Sequence, residues 1–292
     1  MKTRPDGFLL LYKPSDITSF SSLGSVKKRL DTNKVGHAGT LDKFAEGLLI
    51  ALIGKMTKAS SYIMELSKEY RARLVFGIET DTLDPEGETV ETSGHIPGIS
   101  DMEGVIRNFL GPIKQVPPRF SAVHVNGHRA HRLAREGKSM ILKPREVAIY
   151  ELEILDYEPP FADFRVVCSK GTYIRSLARD IARALGSRGH LTALKRTRIG
   201  GFGVDEAVRP DVVEKGNILS PIEFFSRIDA IAVSRVEESV RLKISTGQPL
   251  KDSFFTEIRE GLNAVFDSED NFLALVEKNG RNYFYKFVGA RG

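Results

Sequence analysis

The sequence predicts a mixed α/β protein of two domains, a large one over residues 1–228 and a small β-rich one over residues 229–292. Three observations carry that prediction. Strand-type and helix-type apolar patterns follow one another from Gly7 to Thr197, separated by connections that hold Gly, Pro and Asp. At 292 residues the chain reaches the length, roughly 250–300 residues, at which one core stops growing. Around Pro210 and Pro221 the pattern loosens into a connection, and beyond Asp229 the charge balance changes.

Residues 7–12 form a short apolar strand leading into Lys13-Pro14. Thr18 or Ser19 caps a helix that carries Phe20, Leu23, Val26 and Leu30 on its apolar face and leaves through Lys27, Lys28, Arg29 and Lys34. The apolar run 48–53 between Gly47 and Gly54 suits a strand covered on both faces. Residues 56–66 suit a helix packing Ala59, Ile63 and Leu66. Residues 70–76 alternate, so Tyr70, Ala72, Leu74 and Phe76 share a face opposite Arg71 and Arg73. An acidic loop then turns at Asp84-Pro85-Glu86-Gly87.

Ser100-Asp101-Met102-Glu103 reads as a capping box for a helix ending at Gly111-Pro112. A strand over 120–125 and a short basic helix over 129–136 follow. Residues 166–168 run as a strand through Gly171-Thr172 into a helix. Its apolar residues Ile174, Leu177, Ala178, Ile181 and Leu185 repeat at helical spacing up to Gly186. In the small domain, runs at 273–277 and 283–287 flank Asn279-Gly280, a hairpin signal.

One cysteine, Cys168, excludes an intrachain disulfide and a cysteine-based zinc cluster, and suits the cytosol. The longest apolar runs, 8–12 and 48–53, fall far short of the roughly 18 residues that span a bilayer. The N-terminus lacks a signal-peptide apolar segment, so a soluble cytoplasmic protein with no membrane contact is expected. His124, His128 and His131 are no metal site, because Gly127 interrupts them and no acid or thiol accompanies them. Gly54-Lys55 lacks P-loop spacing and has Met56 where a hydroxyl would hold Mg²⁺.

The net charge of +5 is unevenly spread. Between Lys170 and Arg198, eight Lys or Arg (170, 175, 179, 183, 188, 195, 196, 198) face one acid, Asp180, a local balance of +7 that leaves −2 for the rest. Such a patch is the footprint of a polyanion site, with a solvated helix face as the plain alternative. Arg175, Arg179 and Arg183 form a stripe from the helix N-terminus, where free backbone N–H groups also favour an anion. Residues 229–292 hold nine Lys plus Arg against ten Asp plus Glu and are nearly neutral.

The stretch with the clearest chemistry is Gly36-His37-Ala38-Gly39-Thr40-Leu41-Asp42, followed by Ala45-Glu46-Gly47-Leu48-Leu49. It sets one carboxylate, Asp42, on a glycine-hinged loop ahead of a buried strand, where catalytic groups concentrate. A solvated Asp in a Gly-rich turn is the bland reading. Tyr70 is equally open to reading as a core tyrosine at a strand end. Cys168, in an apolar strand with no partner His, reads as buried and inert.

The 36–49 stretch closely resembles the signature of the TruB family of tRNA pseudouridine synthases. So do Leu11-Tyr12-Lys13-Pro14, the 77–84 segment, Pro117-Pro118-Arg119-Phe120-Ser121-Ala122, Gly171-Thr172-Tyr173-Ile174-Arg175 and Leu194-Lys195-Arg196-Thr197. Three positions depart from the family pattern: Lys43 stands where it usually has Pro, Phe120 where it has Tyr, and Lys195 where it has Arg.

The resemblance implies a catalytic domain around a largely antiparallel sheet with a small PUA-like RNA-binding domain. It implies isomerisation of the T-loop uridine (U55) of tRNA, with no metal or redox cofactor, by a monomer that grips the T-arm stem-loop. Asp42 is then the catalytic residue, and His37, Tyr70, Tyr173, Arg175 and Leu194 the substrate-binding ones, with Arg175 keeping Asp42 ionised and His37 filling the stack a flipped base leaves. Lys27, Lys28, Arg29, Lys34, Lys170, Arg179, Arg183, Lys195 and Arg196 are the expected RNA contacts. A non-catalytic tRNA-binding chaperone using the same surface is the alternative.

Overall fold

The computed structural model describes residues 6–121, 124–125, 128–129, 140 and 142–289. Among them, the main sheet runs in the order Gly7–Lys13, Glu46–Ile53, Gly189–Ile199, Lys68–Phe76, Phe161–Cys168, Arg145–Glu158 and Gly111–Gln115. Val35–His37 adds to the second strand and Phe202–Gly203 to the third. Neighbours pair antiparallel, as expected, except where Glu46–Ile53 meets Gly189–Ile199 in a short parallel contact, Lys195 opposite Glu46 and Arg196 opposite Gly47. That contact joins the two halves of the sheet.

The strand Glu46–Ile53 is buried on both faces, as its unbroken apolar run requires. Lys68–Phe76 instead alternates. Its Tyr70, Ala72, Leu74 and Phe76 pack under Ile174, Leu177, Ala178 and Ile181 of the helix Ile174–Ala184. Arg71 and Arg73 point to the open side, where Arg73 donates to both oxygens of Asp163 at 2.8 and 2.6 Å.

A second sheet pairs Ile231–Arg235 parallel with Gly261–Phe266, then Phe272–Asn279 and Asn282–Val288 antiparallel. Its hairpin turns at Gly280-Arg281, one residue beyond the expected Asn279-Gly280, with Gly280 at φ +58°. The two sheets share one apolar cluster, in which Phe8, Leu48, Ile50 and Leu52 meet Phe224, Phe225, Phe266, Phe272 and Phe287.

Four local expectations are corrected. Residues 205–229 are not a loose connection. They lie along the edge strand Gly7–Lys13, with Phe8 and Leu219 exchanging two hydrogen bonds (3.0 and 2.9 Å) and Val208 bonded to Leu10 and Tyr12, so the segment covers the sheet edge. The 56–66 helix splits into a 3-10 turn, Gly54–Ala59, and a short helix, Ser60–Met64, because Thr57 Oγ1 bonds back to Gly54 O. The expected capping box at Ser100 does not form: the helix is Ile99–Ile106 and its N-cap is Gly98, whose N–H donates to Asp101 but which has no side chain to accept in return. Phe20 is not in the core; it is 72% exposed.

Of the strand expected over 120–125, His124–Val125 is extended and pairs with His128–Arg129, while Phe120 and Ser121 bend. The rest of the basic helix expected over 129–136, His131 included, lies outside the described residues.

Gly47, at φ +110°, is the point of closest approach between the sheet halves: a Cβ there would stand 2.3 Å from Arg196 O. Gly47→Ala should therefore cost at least about 2 kcal/mol, from the left-handed backbone and the clash together. Urea unfolding reads this as a lower midpoint at unchanged slope; an unchanged midpoint would show that the parallel contact does not need glycine.

Candidate active site

The Asp42 loop is tied to the scaffold by buried groups on both sides. Ser19, first residue of the helix Ser19–Arg29, accepts from Leu41 N–H at 2.9 Å and donates to Leu41 O at 3.0 Å. Thr18 caps that helix by accepting from Ser21 N–H, which frees Ser19 for the loop. Buried Lys13 donates to the carbonyls of Pro14 (2.8 Å), Ile17 (2.7 Å) and Lys43 (3.2 Å), and burial pulls its pKa down to about 8. Arg196 donates to the carbonyls of Leu48 (2.7 Å), Gly39 (3.2 Å) and Thr40 (3.5 Å). The loop's backbone is thus clamped before and after Asp42, which limits how far its carboxylate can stray.

Asp42 faces Arg175 from the N-terminal turn of the helix Ile174–Ala184. Arg175 Nη2 donates to Asp42 Oδ1 at 3.0 Å, and Nε lies 2.9 Å from Oδ2, too far off line for a formed hydrogen bond. Nη1 donates to Asp84 Oδ2 at 2.9 Å and Thr82 O at 2.8 Å, and Nη2 also reaches Phe120 O at 3.1 Å. One guanidinium therefore serves two carboxylates in different surroundings: side-chain exposure is 5% for Arg175, 6% for Asp84 and 36% for Asp42.

Burial pushes the Asp84 carboxyl above its usual range, while hydrogen bonds from Thr82 and from the Glu86 N–H, and the charge of Arg175, pull it back. Gln115 sets the start of the helix by bonding both Tyr173 N–H (2.8 Å) and Tyr173 O (3.1 Å).

Around this pair stand the other expected pocket residues. Leu41, Ala45, Tyr70 and Leu194 belong to one apolar cluster with Ile174. Burial raises the pKa of Tyr70 and of Tyr173, and the Asp42 charge acts on both in the same direction. Burial, then the Arg196 charge, lowers the pKa of His37, whose Nδ1 is buried without a hydrogen-bond partner among the described residues. A neighbouring cleft of about 540 Å³ runs past Ser15, Phe44, Glu46, Leu194 and Lys195 on the Arg71 side and does not include Asp42.

The expected RNA-contacting cations divide. Lys27 is half-buried, and Lys28 and Lys34 are exposed. Arg29 donates to Val213 O. Lys170 pairs with Glu65 and Lys195 with Glu46, both at the surface. The helix stripe is not an open anion site: Arg179 is bound to Asp180 and to Val116 O, and Arg183 donates to both oxygens of Glu79. Arg196 is the clear correction. It is 1% exposed and committed to loop carbonyls, so it holds the Asp42 loop instead of meeting a phosphate. Lys43 turns from Asp42 to an ion pair with Glu86 at 2.5 Å, which links the Asp42 loop to the Asp84 turn. Cys168 is buried as expected, its thiol pushed up to about 11.

Asp84, Glu79 and Gln115 are positioning residues that the sequence pattern does not single out. The signal for the first two was an excess of acids in the loop following the Lys68–Phe76 strand, but only the fold shows that these acids point inward.

Residues 27–174, half of the chain, match the family described as TruB family pseudouridylate synthase (N terminal domain). The chain belongs to the TruB family. Among TruB relatives, the tRNA pseudouridine synthase B of Borreliella burgdorferi (strain ZS7) is 39% identical over 97% of this chain and 98% of its own length. The tRNA pseudouridine synthase B of Francisella tularensis subsp. novicida is 37% identical over 93% of this chain and 91% of its own. A crystal structure of a Cbf5-Nop10-Gar1 complex contains a chain 25% identical with TM-score 0.74, over 97% of this chain and 84% of that one.

Within this TruB site, Asp84→Asn tests whether the buried acid aims Arg175. An amide N–H turned toward Nη1 replaces an acceptor by a donor, so the guanidinium loses its second anchor. Turnover should fall at least tenfold, about 1.4 kcal/mol, with tRNA affinity within threefold. Single-turnover conversion compared with filter binding separates the two, and an unaltered rate would free Arg175 of any need for Asp84.

Proposed function

We propose that this chain isomerises the T-loop uridine of tRNA to pseudouridine with Asp42 as the attacking group. The observation that carries the proposal is a carboxylate open to solvent on one side and ion-paired on the other to a buried arginine, on a loop clamped by Ser19, Lys13 and Arg196. The N1–C1′ bond breaks, the uracil turns, a C5–C1′ bond forms and the C5 proton leaves to N1, so atoms balance without a co-substrate. An ionised Asp42 serves this either at C1′ or at C6 of the base.

Tyr70 stacks on the base, with Tyr173 and Leu194 completing the pocket. The burial-raised hydroxyl of Tyr70 keeps its proton at neutral pH, which suits a proton relay more than a phenolate base. The target base must leave the folded loop at a cost of a few kcal/mol. His37, held neutral by burial, offers a flat ring to fill the gap. Lys27, Lys28, Lys34, Lys170 and Lys195 meet the T-arm backbone, and residues 229–292 form the PUA-like RNA-binding unit of a cytoplasmic monomer. A non-catalytic chaperone using the same surface is the second reading; the buried guanidinium needs its carboxylates in either case, so turnover tells the two apart.

Asp42→Asn keeps the size of the side chain and removes its charge, so it should abolish pseudouridine formation while tRNA affinity stays within about tenfold, roughly 1.4 kcal/mol. Arg175→Lys keeps a charge but not the planar fork that spans Asp42 and Asp84, and should lower turnover more than affinity. A folded Asp42→Asn protein converting uridine at the wild-type rate would remove Asp42 from the chemistry.

A further inference from the structure

The helix Ser19–Arg29 buries the wrong residues for a helix chosen only for packing. Ser19 and Ser22 are buried beside Leu23 and Val26, while Phe20 stands 72% exposed. The helix rotation follows from the loop, because Ser19 must face Leu41 to make its two hydrogen bonds. That explains why position 20 points outward, but a polar side chain would serve there at less cost. A single exposed aromatic needs no explanation by itself, so what surrounds the ring decides its role.

Three further features surround the ring. Lys27, two turns along the same face, places Nζ 5.4 Å from the ring centroid. Between them Gly24 occupies the helix interior, with nothing within 4 Å of where its Cβ would be, so packing does not require glycine there. The missing side chain leaves a flat shelf beside the Phe20 ring. Residues 19–34 carry Lys27, Lys28, Arg29 and Lys34 against Asp31, a balance of +3, and neither Lys27, Lys28 nor Lys34 has an ion-pair partner among the described residues. The shelf starts one residue after Ser19, which is bonded to Leu41, the neighbour of Asp42.

We propose that Phe20, flanked by Gly24 and Lys27, is a stacking platform for an unpaired base of the RNA substrate. This rests on the functional reading above. An aromatic face amid cations suits a nucleobase with its phosphate: the ring takes any base, and the lysines take the backbone. A base-paired stem offers no free base face, so the occupant is a loop nucleotide. The charge of the patch favours RNA over a protein surface docking there by apolar contact.

The test compares Phe20→Leu with Phe20→Trp in filter binding to an unmodified tRNA transcript. Losing one base–aromatic stack lowers affinity roughly 5- to 150-fold, so Phe20→Leu should weaken binding at least fivefold and Phe20→Trp should stay within twofold of the parent. Urea midpoints check that both variants fold as the parent does. Equal binding by Phe20→Leu, or equal weakening by both variants, overturns the proposal. So does sedimentation showing a wild-type dimer that Phe20→Leu dissociates, since Phe20 would then serve self-association. Conversion assays on the wild type run alongside: a protein that makes no pseudouridine refutes the reading of Asp42, whereas the Leu-to-Trp binding ratio judges the platform by itself.

Discussion

A buried guanidinium held between two carboxylates is the constraint on which the rest of the structure depends. Arg175 is almost wholly removed from water, and a cation there is tolerable only if charge and hydrogen bonds surround it. Asp84 and the carbonyls of Thr82 and Phe120 supply the permanent part of that surrounding. Asp42 supplies the rest from the open side. The pairing works in both directions, since the arginine needs the carboxylates and Asp42 is oriented by the arginine. Asp84, deeper and satisfied by Thr82 and the Glu86 N–H, stays out of reach of a substrate and lets Asp42 be the one carboxylate of the pair that faces the opening.

Holding that geometry requires an immobile loop, and the chain achieves it with cations turned inward onto backbone carbonyls. Lys13 and Arg196 each bridge three of them, from opposite sides of the Asp42 loop. The parallel contact at Gly47 brings the Arg196 backbone against the strand that follows the loop, so the sheet's junction and the loop's anchor are the same place. The second sheet adds rigidity from behind, because Phe8 and the 48–52 strand residues share their core with Phe224, Phe225 and Phe272.

Much of this is legible in the sequence. The apolar run 48–53, the alternation over 70–76 and the Gly171 turn into an apolar-striped helix are periodic signals, and each became the expected element. Asp42 and Arg175 were readable as partners because their motifs match a family's wording. Position in sequence does not show whether a charge points in or out, which is why Arg196 looked like a surface cation and Asp84 like a solvated turn acid. Phe20 failed for a related reason: the hydrophobic pattern placed it inside, whereas two hydrogen bonds from Ser19 set the helix rotation. The 205–229 segment hides a similar effect, since backbone hydrogen bonds to a sheet edge leave little trace in side-chain pattern.

Charge counting overstated the polyanion surface for the same physical reason. Of the eight cations between Lys170 and Arg198, Arg175, Arg179, Arg183, Arg188 and Arg196 are engaged by groups of the chain itself, and Lys170 and Lys195 form ion pairs at the surface, so the helix stripe builds the site instead of the RNA track. Asp42 and its surroundings therefore support the proposed function more than the basic patch does. The most direct test of that function is to incubate the wild-type protein with an unmodified tRNA transcript and map pseudouridine along the product. A single pseudouridine in the T-loop is the predicted result. Tight binding of the transcript with every uridine unchanged would contradict it.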